Sequence, residues 1–281
     1  MRVGCYLCHW SAWIAVVAAC LVADGASAQS AAVSLTRLAC GEDAAPRDIS
    51  TSSDTYAYRD LKFRLTYSCY LIRHGTEYMI WDAGNPAGMP ESPKESLVDQ
   101  LRVLKLRPEQ IKYVGISHYH TDHTGQLGAF PQATVLIGKG DWDALTAARP
   151  PSGDAKEATE RRVPFAHWIS QGGKLDALSE DKDVFGDGTV VMLSTPGHTP
   201  GHYSLLVRLS NTGNVLLSGD LTHFRENYEN SQVPTWNTSR ADTLASLDRF
   251  KQIARNLKAV VIIQHDPRDI DKLPPFPAAA D

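Results

Sequence analysis

Hydrophobic and polar positions alternate in short runs through most of the chain, and the runs change period between two and about 3.6 as strands and helices should. Two strand-like runs, 65–72 and 77–82, flank His74-Gly75 as turn material and predict a hairpin. The stretch 84–93 carries Gly and Pro punctuation and reads as a loop. Leu97, Val98, Leu101 and Leu104 fall at helical spacing and predict a helix over 95–104. Pro108 suits the first position of a second, short helix. Residues 113–117 form a buried strand, 134–137 another, and 140–148 a helix, so strands and helices alternate through the first half. Strands at 189–194, 203–209 and 215–218, a helix over 240–256 and a last strand at 259–263 repeat that theme. The alternation predicts an α/β fold with layered sheets and helices. Between the halves, 150–187 is polar with weak periodicity and reads as a long insertion over one face, while the Pro/Ala-rich tail after Leu273 reads as loose.

Composition narrows this picture. With 281 residues, 43% of them hydrophobic, the chain suits one globular unit with a substantial core. A formal charge of -4 without long charge runs argues against nucleic acid as a partner and points to a small or uncharged substrate. Arg2, an apolar stretch over 10–23 and Ala26-Ser27-Ala28 read as a signal peptide over 1–28, leaving one domain over 29–281 in an exported, periplasmic or secreted protein. The apolar stretch is short for a bilayer-spanning helix, so stable membrane insertion is not expected. Val17-Ala18-Ala19-Cys20 offers the alternative of a lipoprotein anchored through Cys20. Cys40 and Cys69 are then the one pair in the mature chain, which allows a disulfide in an oxidising compartment, two separate buried thiols being the alternative.

The chemistry is concentrated in Ser117-His118-Tyr119-His120-Thr121-Asp122-His123, directly after an apolar strand. Imidazole nitrogens and carboxylate oxygens are ligands that zinc accepts in hydrolytic sites, and a strand end followed by a loop lets sequence neighbours converge on one point. His118 and His120 alternate and can point the same way, while Asp122 and His123 can face a second ion beside the first. A pair of ions needs more groups than this cluster supplies. Three further polar residues stand after strand-like runs: His198 within Pro196-Gly197-His198-Thr199-Pro200-Gly201-His202, Asp220 and His265. The ends of strands are where α/β enzymes gather such groups.

The motif His118-x-His120-x-Asp122-His123, followed by His198, Asp220 and His265, resembles the signature of the metallo-β-lactamase superfamily. The resemblance implies an αβ/βα sandwich of two mixed sheets with outer helices. It implies that His118, His120 and His198 bind one zinc, that Asp122, His123 and His265 bind the other, and that Asp220 bridges them. Asp82 resembles the family's aspartate that orients a ligand histidine. The implied cofactors are two Zn2+, other divalent metals being compatible with the same ligands. A hydroxide held between the ions would attack an acyl carbonyl, with Asp122 helping to move the proton.

Within that family the carboxylate at Asp220 departs from true metallo-β-lactamases, and the short run after His265 leaves little room for the helical domain typical of glyoxalase II. The segments 106–113, 196–202, 244–253 and 264–267 are similar to the N-acyl homoserine lactonase branch, which implies opening of a lactone ring and quorum quenching. The alternative is an exported metallo-β-lactamase or another ester hydrolase on the same metal-binding residues. His223 stands where many such lactonases have a tyrosine and is the second catalytic candidate beside Asp122, as a hydrogen-bond donor to the substrate. The expected partner is a small-molecule lactone or ester; a homodimer is compatible with this reading.

Overall fold

The computed structural model describes residues 31–147 and 155–281, together with 1, 2 and 4. The signal-peptide and cleavage-site expectations fall outside the described residues, apart from Arg2. The elements in chain order begin with β1 (Val33–Glu42), a two-residue ribbon of β2 (Arg47–Asp48) and β3 (Lys62–Phe63), β4 (Thr66–His74) and β5 (Glu77–Trp81). There follow α1 (Leu97–Val103), β6 (Ile111–Gly115), α2 (Thr121–Thr124), β7 (Thr134–Gly138), α3 (Lys139–Thr146), α4 (Ala155–Arg162) and α5 (Ala166–Gln171). The second half holds β8 (Leu175–Leu178), β9 (Lys182–Asp183), β10 (Val190–Ser194), β11 (Tyr203–Leu209), β12 (Gly213–Leu217), α6 (Arg225–Asn230), α7 (Arg240–Asn256) and β13 (Val260–Ile262).

A six-stranded sheet runs β1-β4-β5-β6-β7-β8, and a five-stranded sheet runs β13-β12-β11-β10-β9. The period of two along β4 shows how the layers form. Tyr70 and Ile72 join Met79 and Trp81 in the core between the sheets, against Met192, Leu205, Val207, Val215 and Leu217 of the second sheet. Their neighbours Cys69 and Leu71 face the other way, onto Leu97 and Leu101 of α1, with Leu145, Phe165 and Trp168 in the same cluster. The second sheet is covered likewise: Leu193, Leu206 and Leu216 pack on Leu247, Phe250 and Ala254 of α7. Those three residues, with Thr243 and Ser246, are the buried stripe of α7, and Ser239 caps the helix by accepting the Asp242 N–H. Each buried Leu or Phe contributes roughly 1.5–3 kcal/mol, so both faces of both sheets must be covered. The result is an αβ/βα sandwich, as the family resemblance implies.

The hairpin of β4 and β5 is antiparallel, while β5, β6, β7 and β8 pair in parallel. Three expectations need correction. The strand β1 is absent from the sequence prediction, although Val33, Leu35, Leu38 and Cys40 are buried along it; a Thr, an Arg and a Gly interrupt its apolar alternation. The insertion over 150–187 is not all loop: β8 completes one sheet and β9 the other, too short for periodicity to register. The tail is not loose, because Leu35 and Ala280 exchange both backbone hydrogen bonds and Asp281 accepts from the Asn211 and Thr212 N–H groups. The unpaired edge of β1 supplies the first of these partners, and the turn between β11 and β12 the others. Cys40 of β1 and Cys69 of β4 are joined in a disulfide with their Cα atoms 5.8 Å apart, within the span such a bond requires. No helix among the described residues is long and apolar enough to cross a membrane.

Candidate metal centre

Strands β5, β6, β10, β12 and β13 all deliver their next residues to one end of the sandwich. Asp82 follows β5, Ser117 to His123 follow β6, His198 follows β10, Asp220 follows β12 and His265 follows β13. Apolar strands must end where their apolar cover ends, so the first polar side chains after them collect at a common rim.

The seven residues singled out by sequence come together there in two groups that share one member. His118, His120, His198 and Asp220 form the first, and Asp122, His123, Asp220 and His265 the second, each with its ligand atoms within 4.8 Å of one another. In the first group His118 Nε2 lies 2.9 Å from His120 Nδ1, and His198 Nε2 lies 3.2 Å and 3.1 Å from these two. Three imidazole nitrogens in a closed triangle cannot each receive a proton from the others. A zinc ion bound at about 2.0 Å spaces tetrahedral ligands ~3.3 Å apart, which is close to this triangle. In the second group Asp220 Oδ1 lies 2.9 Å from His265 Nε2 and 3.1 Å from His123 Nε2, while Asp122 Oδ2 is 3.4 Å from His123 Nε2. The other oxygen, Oδ2, lies 3.4 Å from His198 Nε2 and 3.8 Å from His118 Nε2. Asp220 therefore turns one oxygen to each group. His123 Nε2 and Asp220 Oδ1 are buried without a hydrogen-bond partner, a costly state in the absence of a cation. The donor set fits a pair of divalent metal ions.

The outer ring nitrogens are also held. His123 Nδ1 lies 2.8 Å from Asp82 Oδ2, and Asp82 accepts from the Ser117 N–H and hydroxyl as well. Asp82 thus stands where the sequence places it. His265 Nδ1 donates to the Thr66 carbonyl at 2.9 Å and His198 Nδ1 to Asn237 Oδ1 at 2.9 Å. His202 lies outside both groups. Its Nε2 accepts the Asp220 N–H at 2.9 Å and its Nδ1 lies 3.0 Å from the Thr195 carbonyl, so it is neutral and protonated on Nδ1, and it positions the shared carboxylate. Burial pushes His202 down to about 3, consistent with that neutral form. The aspects sequence reasoning missed are the Asn237 amide and the Thr66 carbonyl, neither of which carries any local signal.

Burial also pushes His118 and His120 well below the ordinary histidine range, and His198 down to about 4. For His123 and His265 burial pulls the same way, but Asp220 and Asp122 outweigh it and hold both above their ordinary value. Both carboxylates stay ionised despite burial, Asp220 chiefly through His265 and His123, and Asp122 chiefly through His123. A histidine whose metal-free pKa is raised makes an arriving cation expel a proton, so affinity falls as pH falls; a lowered one delays that competition. Stepwise acidification from about pH 8 to about pH 5 is therefore expected to release the ion of the Asp122/His123/His265 group first. Metal retained per chain in equilibrium dialysis checks this, and simultaneous release or the reverse order contradicts it.

A cavity of about 410 Å³ opens onto the cluster, lined by His120, Asp122, Asp220, His223 and His265 together with Arg47, Ile49, Leu65, Phe224 and Trp236. His223 Nε2 lies 3.2 Å from Asp220 Oδ2, and its ring stacks beside His265 at 5.5 Å. Phe224 and Trp236, unassigned by sequence because single aromatics in a mixed fold are usually core, form part of this wall. Phe224 is both: it is fully buried and packs edge-on to Tyr58.

Residues 64–265 match the sequence profile of the metallo-beta-lactamase superfamily, and the chain belongs to that superfamily. Among its relatives, the N-acyl homoserine lactonase AttM of Rhizobium radiobacter is 31% identical over 215 residues, which cover 70% of this chain and 81% of that protein. The crystal structure of a quorum-quenching N-acyl homoserine lactone lactonase superposes with a TM-score of 0.73 at 24% identity, over 89% of this chain and 98% of that one. AidC, a dizinc quorum-quenching lactonase in complex with a product, superposes with a TM-score of 0.66 at 18% identity, over 89% of this chain and 90% of that one.

Proposed function

We propose that this protein is an exported di-zinc hydrolase that opens lactone rings, with N-acyl homoserine lactones as the substrate class and quorum quenching as the consequence. The observation that carries the metal chemistry is Asp220, whose two oxygens face two separate groups of ligands. Similarity to AttM over most of the chain supports the substrate class. The disulfide supports an oxidising compartment, and a mature single domain over 29–281 is part of the same proposal.

Two bound divalent ions supply water activation at neutral pH and stabilise charge on the carbonyl and leaving oxygens. The residues of the chain do the rest. Asp122, with a side chain 27% exposed, is the carboxylate of the cluster open enough to accept a proton and pass it toward solvent. Ile49, Leu65, Phe224 and Trp236 offer an apolar wall for an acyl chain, while Arg47 brings a charge to the same cavity. His223 borders both cavity and cluster, where a ring N–H can donate to the substrate carbonyl or leaving oxygen. His223→Phe is expected to lower kcat/KM by about 100-fold with metal content unchanged, and His223→Tyr to restore most of it. Equal turnover by all three would assign His223 to structure alone.

The test of the function is turnover of the purified mature protein against acyl-homoserine lactones, aryl esters and a carbapenem, before and after exhaustive chelation. Ring opening that chelation abolishes and zinc restores is expected. Undiminished activity without metal would sink the mechanism, and carbapenem turnover in place of lactone turnover would move the substrate class to the lactams.

A further inference from the structure

Asp141, in the first turn of α3, is wholly buried and belongs to neither ligand group. Its Oδ2 accepts from the Tyr119 N–H at 3.1 Å and the Thr199 hydroxyl at 2.9 Å, and its Oδ1 accepts from the Gly201 N–H at 2.6 Å. Tyr119 sits between His118 and His120; Thr199 follows His198. One carboxylate therefore clasps the two loops that bring the three histidines of the first group to within 3.2 Å of one another.

The backbones pressed together around this clasp leave no room for adjustment. A Cβ on Gly138 would meet the Gly201 carbonyl oxygen at 1.9 Å, one on Gly140 the Pro200 carbonyl oxygen at 2.7 Å, and one on Gly201 the Asp141 N at 2.4 Å. Three glycines thus seat the start of α3 directly against the turn after His198. The second group is held otherwise: Asp82 fixes His123 directly and the Thr66 carbonyl fixes His265, while Asp82 reaches the first group through Ser117, whose hydroxyl lies 3.1 Å from His118 Nδ1. Asp141 touches neither histidine.

We infer that Asp141 is a positioning residue for one metal ion alone, the ion of His118, His120 and His198, whereas Asp82, through His123 and through Ser117, stands behind both halves of the centre. The inference rests on the two-metal reading above. The clasp requires a carboxylate because all three partners are donors: an amide of the same shape presents an NH2 toward at least one of them, and buried donors left facing one another lose their hydrogen bonds.

The experiment is a competition titration of the full mature chain with zinc and a chelator, with metal counted per chain and repeated with Co2+ to read ligand-field absorption. The wild type is expected to hold two ions. Asp141→Asn is expected to hold one with wild-type affinity and the other about 10–100-fold more weakly, the usual cost of losing an outer partner of a metal ligand. Asp82→Asn is expected to weaken the other ion most, with a smaller loss at the first through Ser117 and His118, and the double variant both strongly. Thr199→Ala removes one of the three donors and is expected to weaken the same ion as Asp141→Asn by a smaller factor, which decides the matter if Asp141→Asn does not fold. A wild type without stoichiometric metal would overturn the two-metal reading itself. A wild type with two ions, beside an Asp141→Asn or Thr199→Ala chain that keeps both at full affinity or loses both equally, would overturn the inference and leave that reading standing.

Discussion

Asp220→Asn is expected to retain the fold, to hold its ions weakly and to lose turnover by on the order of 10³-fold. The carboxylate is 4% exposed and lies against five imidazoles, His118, His123, His198, His223 and His265. An amide removes the negative charge that offsets two cations, and it replaces one ligand oxygen by a donor that cannot bind metal. Its backbone support is untouched, since the N–H at this position donates to His202 Nε2 whatever the side chain. Metal content and steady-state kinetics on the same preparation measure both effects. Two ions and full turnover in the variant would exclude Asp220 from the centre.

Gly197→Ala is expected to cost stability and metal together. Gly197 has a φ of +139°, and a Cβ there would lie 2.3 Å from the Thr243 N and 2.5 Å from the Thr243 Cα. Thr243 is in the first turn of α7, and the Gly197 carbonyl accepts from the N–H of Ser239, the residue that caps this helix. Relief would require the loop of His198 and the start of α7 to separate. Backbone strain and forced overpacking each cost about 1–3 kcal/mol, so a loss of about 3 kcal/mol or more is expected, a fall in Tm of roughly 6–12 °C in a chain of this size. His198 follows directly, so the ion it faces should be lost in parallel. A thermal melt and a metal count on one sample read the two together; a stable variant with two ions would show that this contact is softer than its geometry.

Much of the fold was legible because it is written in local periodicity. The run 65–72 predicts the strand that becomes β4, and 240–256 the helix that becomes α7. What escaped prediction shares a cause. The strand β1 and the pinned tail are stabilised by pairing with distant segments, Val33 with His74 and Leu35 with Ala280, and pairing partners leave no mark on either segment alone. β8 and β9 are too short for any period to show.

The sequence by itself determined the chemistry of the centre: which residue types it contains, their order, and their position after apolar strands, because ligand identity and strand endings are local properties. His118, His120, Asp122 and His123 were recognisable at that level, while His198, Asp220 and His265 stood out by their place after strands and were joined to them by the family resemblance. The tertiary structure alone decided how they are held. It turned one oxygen of Asp220 to each group, set Asn237 and the Thr66 carbonyl behind two of the histidines, tied Asp141 to the loops of the first group, and brought Trp236 to the wall of the cavity. Each of these depends on distances between residues tens to hundreds of positions apart, which are fixed only when two sheets and their covering helices have packed.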